Sequence, residues 1–251
     1  AVGNAIDKAI IGRFFGAASL GGYSIAINLC KLPATQISMV TNQITFPAFS
    51  KLQDDRQKLK KAFLKTLSHI SIIALPLAFG FLALSEKLVL TVYGSKWISM
   101  APLIKILAFY GMSLSIASVT GPVFKAMAKP NWMLYTGIVH HVLRISLLAL
   151  LANYGVLGVC YAVLIPSLIS SVIAFILVSF LLPLSIRDII EPIARAGLAA
   201  ATMFLAVEFF ELSVAAMLTL PLFVMFICFV LVGMASYLLA SLLMNKSILF
   251  D

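Results

Sequence analysis

A row of polar side chains follows one face of the second apolar segment, where chemistry is least expected. Its members recur at steps of four and three residues and so share one helix face about 30 Å long: Ser24, Asn28, Lys31, Thr35, Ser38, Asn42 and Thr45. Such a face is costly in hydrocarbon unless it packs against protein or lines water. Small hydroxyl residues can pack helices together, but a lysine in mid-span favours a cavity. Pro33 removes a backbone hydrogen bond and predicts a bend of the kind that alternating-access proteins use.

Two cations lie near the middle of apolar segments, Lys31 in the second and Arg144 in the fifth. An ionisable group at that depth indicates a functional site, and the expected partner of a cation is an anion. Two cations facing one cavity would suit a phosphate or pyrophosphate, since arginine can hold two oxygens at once. The alternative is that Lys31 or Arg144 pairs with Asp7, an acidic residue inside the first apolar segment. Both interpretations stay open.

His140 and His141 precede Arg144 by about one helical turn, which makes them further candidates for lining the cavity. A metal site is not expected, because adjacent residues do not share a helix face and no carboxylate or cysteine nearby completes a ligand set. No cofactor is expected either. The sequence contains no GxSxG, P-loop or HExxH pattern and no carboxylate pair in its apolar body, so we do not expect an enzyme.

The composition sets the class of protein that must position these residues. Of the 251 residues, 62% are hydrophobic and only 11% are charged, and the mean hydropathy is +1.10. A soluble domain could not bury so much apolar surface, so we predict an all-α polytopic membrane protein. Cytoplasmic loops in contact with anionic membrane lipids explain the net charge of +9, and no nucleic-acid partner is needed.

Eight segments are long and apolar enough, or nearly so, to cross a bilayer: 1–16, 20–49, 62–84, 99–125, 131–152, 156–183, 192–211 and 214–243. The polar run at 51–65 carries six of the eighteen Lys and Arg residues. Because short basic loops stay in the cytoplasm, this run fixes the orientation. The alternate loops carrying Lys125, Arg187 and Lys246 then also face the cytoplasm, which predicts that both ends of the chain are cytoplasmic.

Four sequence stretches, taken in their order along the chain, resemble the polysaccharide-transporter (Wzx-type) flippases. These flippases belong to the multidrug/oligosaccharidyl-lipid/polysaccharide exporter superfamily. The stretches are 7–26 (DKAIIGRFFGAASLGGYSIA), Leu32-Pro33, 46–55 (FPAFSKLQDD) and 93–97 (YGSKW). Together they cover roughly the first 130 residues. One loop departs from the family pattern, because Ala128-Lys129-Pro130 has alanine where glycine is usual.

The resemblance implies a two-lobed, MATE/MurJ-like transporter whose lobes surround a central cavity. Residues 1–183 would be the second lobe, with about six transmembrane helices, and 184–251 two additional C-terminal helices. The first lobe would precede this chain. The implied activity is translocation of undecaprenyl-pyrophosphate-linked oligosaccharide repeat units across the bacterial inner membrane for surface polysaccharide biosynthesis.

The same resemblance implies that cationic cavity residues meet the pyrophosphate, and it implies the partners. Lys31 and Arg144 are our candidates for that role because of their depth and the geometry of the polar face, not because of a matched motif, and Asp7 is a candidate site for a coupling ion or proton. The partners would be the lipid-linked glycan, membrane lipids, and polysaccharide polymerase or assembly proteins.

Two other functions stay open at this stage. A cation-coupled multidrug antiporter of the same superfamily would be expected to carry acidic cavity residues, whereas the mid-span charges here are mostly positive. An integral membrane glycan polymerase or acyltransferase would be expected to place catalytic residues in a long outer loop, and the outer loops here are short.

Overall fold

The computed structural model describes residues 2–213 and 221–244, and in these ranges it contains helices and no β-strand. This confirms the all-α fold. The helices are α1 (Val2–Lys51), α2 (Arg56–Leu88), α3 (Ala101–Ala117), α4 (Thr120–Ala126), α5 (Asn131–Leu151), α6 (Gly155–Leu181), α7 (Ile186–Ser213) and α8 (Leu222–Met244).

Six continuous helical stretches in the described ranges are long and apolar enough to cross a membrane. Two of them, Ala5–Lys51 and Asn131–Leu181, have 47 and 51 residues, and either length exceeds what one crossing of a roughly 30 Å hydrocarbon layer requires. Each is interrupted by a glycine with positive φ, Gly16 at 82° and Gly155 at 78°. These breaks fall near the boundaries expected between neighbouring segments. The number of eight spans stays a prediction, and 214–220 of the last segment and Lys246 lie outside the described residues.

The break in α1 lies at Gly16 and not at Pro33. Gly16 has φ 82° and ψ 171°, whereas the dihedrals at Pro33 stay helical. Glycine adopts such a backbone without the steric cost that a Cβ imposes. The predicted bend at Pro33 therefore does not appear as a break in the helix.

The loops separate into two ends of the bundle. At the glycine end, named for Gly16, Gly94 and Gly155, a cavity of about 420 Å³ lies between Trp97, Tyr154 and the start of α6. At the opposite basic end, the Lys60 ammonium pairs with Asp188 at 2.7 Å. One end of the bundle is thus rich in aromatic residues and glycine and the other in lysine, as expected for a protein oriented in a membrane.

The helices pack through two main apolar clusters. One joins α1, α3 and α6 around Tyr23, Ile104 and Val159. The other joins α2, α4, α6 and α7, with Phe63 and Phe175 packed edge to face at 6.3 Å between ring centroids.

Gly111 sets the distance between α1 and α3. A Cβ at this position would lie 2.1 Å from the carbonyl oxygen of Cys30, so no larger residue fits without moving a helix. Small residues allow this close approach of backbones between membrane helices. The crossing fixes the neighbouring residues of both helices, including Lys31 on α1 and Tyr110 on α3.

The two C-terminal helices attach to the bundle through α2. α7 packs along α2, and α8 packs on α7 and α2. At the glycine end Lys87 pairs with Glu211 and lies 4.6 Å from the ring centroid of Phe229, and further along the Tyr237 hydroxyl donates to the Ile72 carbonyl at 2.7 Å. The division of the chain at 183/184 stays a prediction.

Candidate functional site

The polar face of α1 is only partly covered by the rest of the chain. Asn28 and Thr35 are exposed, Lys31 is half-buried, and Thr45 is buried. Thr35 donates its hydroxyl proton to the Lys31 carbonyl at 2.9 Å. Because two of its seven members are exposed and four are only partly buried, close packing among the described helices does not account for this face.

The lower part of this face lines an open groove formed by two adjoining cavities of about 310 and 500 Å³. α1, α3, α4, α5 and α6 contribute its walls. We call it the hydroxyl groove and define it by its polar lining: Thr35, Ser38, Asn42, Ser118, Thr120, Thr136, His140, Ser167, Ser170 and Ser171. The structure thus brings four of the predicted site residues, Thr35, Ser38, Asn42 and His140, to one surface.

Serines of α6 that sequence reasoning did not single out line the groove, and two of them bond to Ser113 of α3. The hydroxyls of Ser113 and Ser171 lie 2.8 Å apart, and Ser167 donates to Ser113 at 3.0 Å. The hydroxyl oxygen of Ser170 is buried and has no hydrogen-bond partner among the described residues. The signal that could have found them is the spacing of Ser167, Ser170 and Ser171, which puts three hydroxyls on one face of α6.

A cluster of buried charges lies deeper in the bundle, where α1, α3 and α5 meet. Asp7 and Arg144 are 0% and 3% exposed. The Arg144 Nε donates to Asp7 Oδ1 at 3.2 Å, and its Nη2 pairs with Asp7 Oδ2. Tyr23 donates its hydroxyl proton to Asp7 Oδ2 at 3.1 Å, and Arg144 also hydrogen-bonds the hydroxyl of Tyr110. We call these four residues the charge cluster.

The sequence left open whether the mid-span cations bind a phosphate or pair with Asp7, and in the charge cluster Arg144 pairs with Asp7. Asp7 and Arg144 neutralise each other through two hydrogen bonds, an arrangement that a buried ion pair needs in order to offset its loss of hydration. In this structure Arg144 therefore faces an internal carboxylate. Its role as a substrate ligand and that of Asp7 in ion coupling stay predictions.

Lys31 borders both regions. Its ammonium lies 5.7 Å from the ring centroid of Tyr110, which is within the range of a cation–π contact, and it is one turn from Thr35 in the hydroxyl groove. None of the ion pairs among the described side chains includes Lys31. Lys31 thus lies beside the inner end of the groove, and its role as an anion ligand stays a prediction.

The two histidines point in different directions. Their rings meet edge to face at 5.3 Å between centroids, but only His140 lines the hydroxyl groove. His140 lies within hydrogen-bonding reach of the Pro166 backbone, whereas His141 is exposed. Asn28 is exposed as well and does not line the groove. Within the described ranges no group of three or more His, Cys, Asp or Glu side chains is placed to hold a metal ion.

Comparison with known proteins gives consistent matches. A family model described as "Polysaccharide biosynthesis protein" matches residues 2–102. The lipopolysaccharide biosynthesis protein WzxC of Escherichia coli K12 is 29% identical over 171 residues, which cover 68% of this chain and 35% of that protein. The teichuronic acid biosynthesis protein TuaB of Bacillus subtilis is 26% identical over 204 residues, which cover 80% of this chain and 42% of that protein. The chain thus spans less than half the length of these relatives.

A solved structure shares the fold. The lipid II flippase MurJ in its inward closed conformation superposes with a TM-score of 0.81 over 99% of this chain and 51% of that chain, at 16% sequence identity. This match confirms a MurJ-like helical fold.

Proposed function

We propose that this chain, which belongs to the family of Wzx-type polysaccharide transporters, forms one lobe of a flippase for lipid-linked oligosaccharides. The substrate would be an undecaprenyl-pyrophosphate-linked repeat unit of a surface polysaccharide such as O-antigen, capsule or exopolysaccharide. The full-length protein would move it across the bacterial inner membrane by alternating access, with the lipid tail remaining in the bilayer.

The observation that carries this proposal is an open polar groove inside an otherwise apolar bundle, with a half-buried cation at its inner end. The groove is lined by hydroxyl, amide and imidazole groups, and Lys31 lies one turn beyond Thr35. Polar surface at this depth is stable only where it lines a hydrated passage or meets a polar ligand. A polar sugar-phosphate headgroup with a long apolar tail matches a groove of this kind.

Lys31 and Arg144 would serve the substrate in different ways. Lys31 is the cation that an incoming pyrophosphate would meet first, because it lies one turn from the groove and takes part in none of the ion pairs among the described side chains. Arg144 is engaged by Asp7. If Asp7 took up a proton during the cycle, the pair would weaken and the Arg144 guanidinium would become available to the substrate's oxygens. This would give Asp7 its coupling role.

Orientation and partners follow from the same proposal. Lys51, Lys60 and Lys61 lie at the basic end, which would face the cytoplasm. The groove opens along the half of α1 that leads to this end, where a lipid-linked glycan made in the cytoplasm would enter. Polysaccharide polymerases or assembly proteins on the opposite side would receive the product.

The test is lipid analysis of cells from which the full-length gene has been deleted. We expect glycan-bearing undecaprenyl pyrophosphate to accumulate and surface glycan to be lost, with both defects corrected by the wild-type gene. Lys31→Ala should fail to correct them at equal expression, whereas Lys31→Arg should correct them in part.

Lys105→Ala is the matched control, because Lys105 also lies in an apolar helix but pairs with Glu86 at 2.7 Å, away from the groove. It should correct both defects. Normal lipids and normal surface glycan in the deletion strain would contradict the flippase, and altered drug sensitivity in that strain would favour an antiporter.

A further inference from the structure

Three hydroxyl groups that line the hydroxyl groove donate their protons to backbone carbonyls three or four residues earlier, whereas the Ser170 hydroxyl has no partner among the described residues. Ser118 donates to the Ser115 carbonyl at 2.6 Å, Thr120 to Ala117 at 2.8 Å, and Thr136 to Trp132 at 3.1 Å. A hydroxyl group has one proton to donate and two lone pairs that accept. Each of these side chains therefore presents a hydrogen-bond acceptor to the groove and no further donor.

Asn42 extends the pattern on the opposite wall. Its amide nitrogen donates to the Ser38 carbonyl at 2.8 Å, which leaves the amide oxygen as an acceptor. Thr35 likewise donates to its own helix. The acceptors thus come from α1, α3, α4 and α5 and converge on one cavity.

These side chains do not serve as contacts between helices. Ser113, Ser167 and Ser171 do join α3 to α6, but Ser118, Thr120 and Thr136 bond to carbonyls three or four residues earlier in the same continuous helical stretch. Packing between membrane helices therefore does not account for them.

The charge of the groove sets it apart from an anion site. None of the described residues lining it is Lys, Arg, Asp or Glu. The oxygens of a pyrophosphate are acceptors, so they would face lone pairs in the groove without a cation to offset the repulsion. A ligand rich in O–H donors has the opposite polarity and fits the lining.

We infer that the hydroxyl groove is a subsite for the sugar residues of the substrate, which it recognises by accepting hydrogen bonds from their hydroxyl groups. The pyrophosphate sits beyond the groove, at Lys31. Along α1 the distance from Lys31 to Asn42 is about 16 Å at 1.5 Å per residue, so the groove has room for more than one sugar ring. Because a glycan reaches this surface only if the chain handles such lipids, the inference rests on the proposed function.

The test separates sugar binding from phosphate binding. Full-length protein in nanodiscs is titrated with two probes, undecaprenyl pyrophosphate that carries the glycan of the host strain and undecaprenyl pyrophosphate alone. The variants are Ser118→Ala combined with Thr136→Val, and independently Thr120→Val. Since each lost hydrogen bond costs about 1 kcal/mol, or about fivefold in affinity, the double variant should bind the glycan-bearing lipid at least about tenfold more weakly.

Binding of the bare lipid by these variants should stay within about twofold of wild type. Thr136→Ser keeps the hydroxyl and should retain affinity for the glycan-bearing lipid. Ser71→Ala is the matched control, because Ser71 is buried on α2 and donates to the Leu67 carbonyl at 2.8 Å in the same manner, outside the groove. Thermal unfolding of every variant verifies that the fold is intact.

The inference is overturned if the double variant and Thr120→Val bind the glycan-bearing lipid as tightly as wild type, or if they lose both lipids to the same extent. If the proposed function itself is wrong, the wild-type protein should bind neither lipid. This result differs from those above, and both proposals would then be overturned.

Discussion

The hydroxyl groove and the charge cluster are neighbours in the bundle, but they differ in how far their polar groups are satisfied by partners within the protein. In the cluster, Asp7 and Arg144 are almost inaccessible and satisfy each other. In the groove, hydroxyls such as those of Ser118 and Thr136 bond to their own helices and leave their lone pairs open. We therefore expect the cluster to stabilise the packing of helices in this conformation and the groove to meet a ligand. Depth in the membrane alone does not distinguish these two groups of polar residues, whereas their hydrogen-bond partners do.

The largest loss of stability should come from removing one partner of the Asp7–Arg144 ion pair. Arg144→Met leaves the carboxylate of Asp7 buried without its cation, which costs about 3–5 kcal/mol for a buried ion pair. We expect the full-length protein to lose much of its thermal stability in detergent. The double variant Asp7→Asn and Arg144→Met should recover part of the loss, because no charge is then left uncompensated. Equal stability of the single and double variants would contradict the role of the pair in packing.

A second large effect is expected where α1 crosses α3, because this crossing positions both regions. Gly111→Ala places a Cβ 2.1 Å from the Cys30 carbonyl oxygen, and such overpacking costs about 1–3 kcal/mol. Both thermal stability and complementation of the deletion strain should fall. Gly197→Ala on α7 is the control, because a Cβ there meets nothing within 4 Å and Gly197 lies outside the hydroxyl groove. If the two variants behaved alike, the close crossing would not be required.

Variants of the hydroxyl groove should lose function with little loss of stability, which is the opposite of what we expect for the charge cluster. Ser118→Ala with Thr136→Val removes two hydroxyls that bond only to their own helices, so the free energy of unfolding should change by no more than about 0.5 kcal/mol per site. Surface glycan in the complemented deletion strain should nevertheless decrease. A loss of stability as large as that of Arg144→Met would show that the groove, too, is part of the packing.

The smallest effect is expected outside both regions, at the start of α2. Asp55 accepts hydrogen bonds from the backbone amides of Gln57 and Lys58 at 3.2 and 3.0 Å. The hydrogen bonds from the Lys58 amide and side chain lower the pKa of Asp55 below its ordinary value. Its contribution is therefore complete above the unfolded-chain value of about 3.9 and is lost as pH falls through the lower folded value.

Hydrogen exchange in the first turn of α2 measures this contribution. Asp55→Ala should lower the protection factor there at neutral pH and remove the decrease in protection that acid causes in the wild type, whereas the neighbouring Asp54→Ala should leave the protection factor unchanged. Transport should not differ between these variants. Equal exchange in both would contradict the assignment of Asp55 as the helix cap.

The membrane class, the helical fold and the polar face of α1 could be predicted from the sequence, because each depends on composition or on the period of a single helix. The pairing of Asp7 with Arg144 could be stated only as an alternative, since it depends on how α1 and α5 meet. The spacing of the α6 serines could have been noticed, but their meeting with Ser113 and with the polar face of α1 could not be predicted, because it requires α3 to pack on α6. Tertiary contact between helices, and not periodicity, selects which polar faces form one surface.

The helix break in α1 shows the same limit at the level of the backbone. Proline in a helix interior removes one hydrogen bond, and on that ground Pro33 is the expected bend. The structure keeps helical dihedrals at Pro33 and changes direction at Gly16, whose positive φ suits glycine.

The most direct test of the central claim is a transport assay with full-length protein in proteoliposomes that contain glycan-bearing undecaprenyl pyrophosphate. A lectin added outside measures how much glycan reaches the outer leaflet over time. We predict that wild-type protein and Lys105→Ala raise this fraction well above that in protein-free liposomes. Lys31→Ala should slow the rise about tenfold, because it removes one hydrogen bond to a charged group. A rise with wild-type protein no faster than in protein-free liposomes would contradict this prediction.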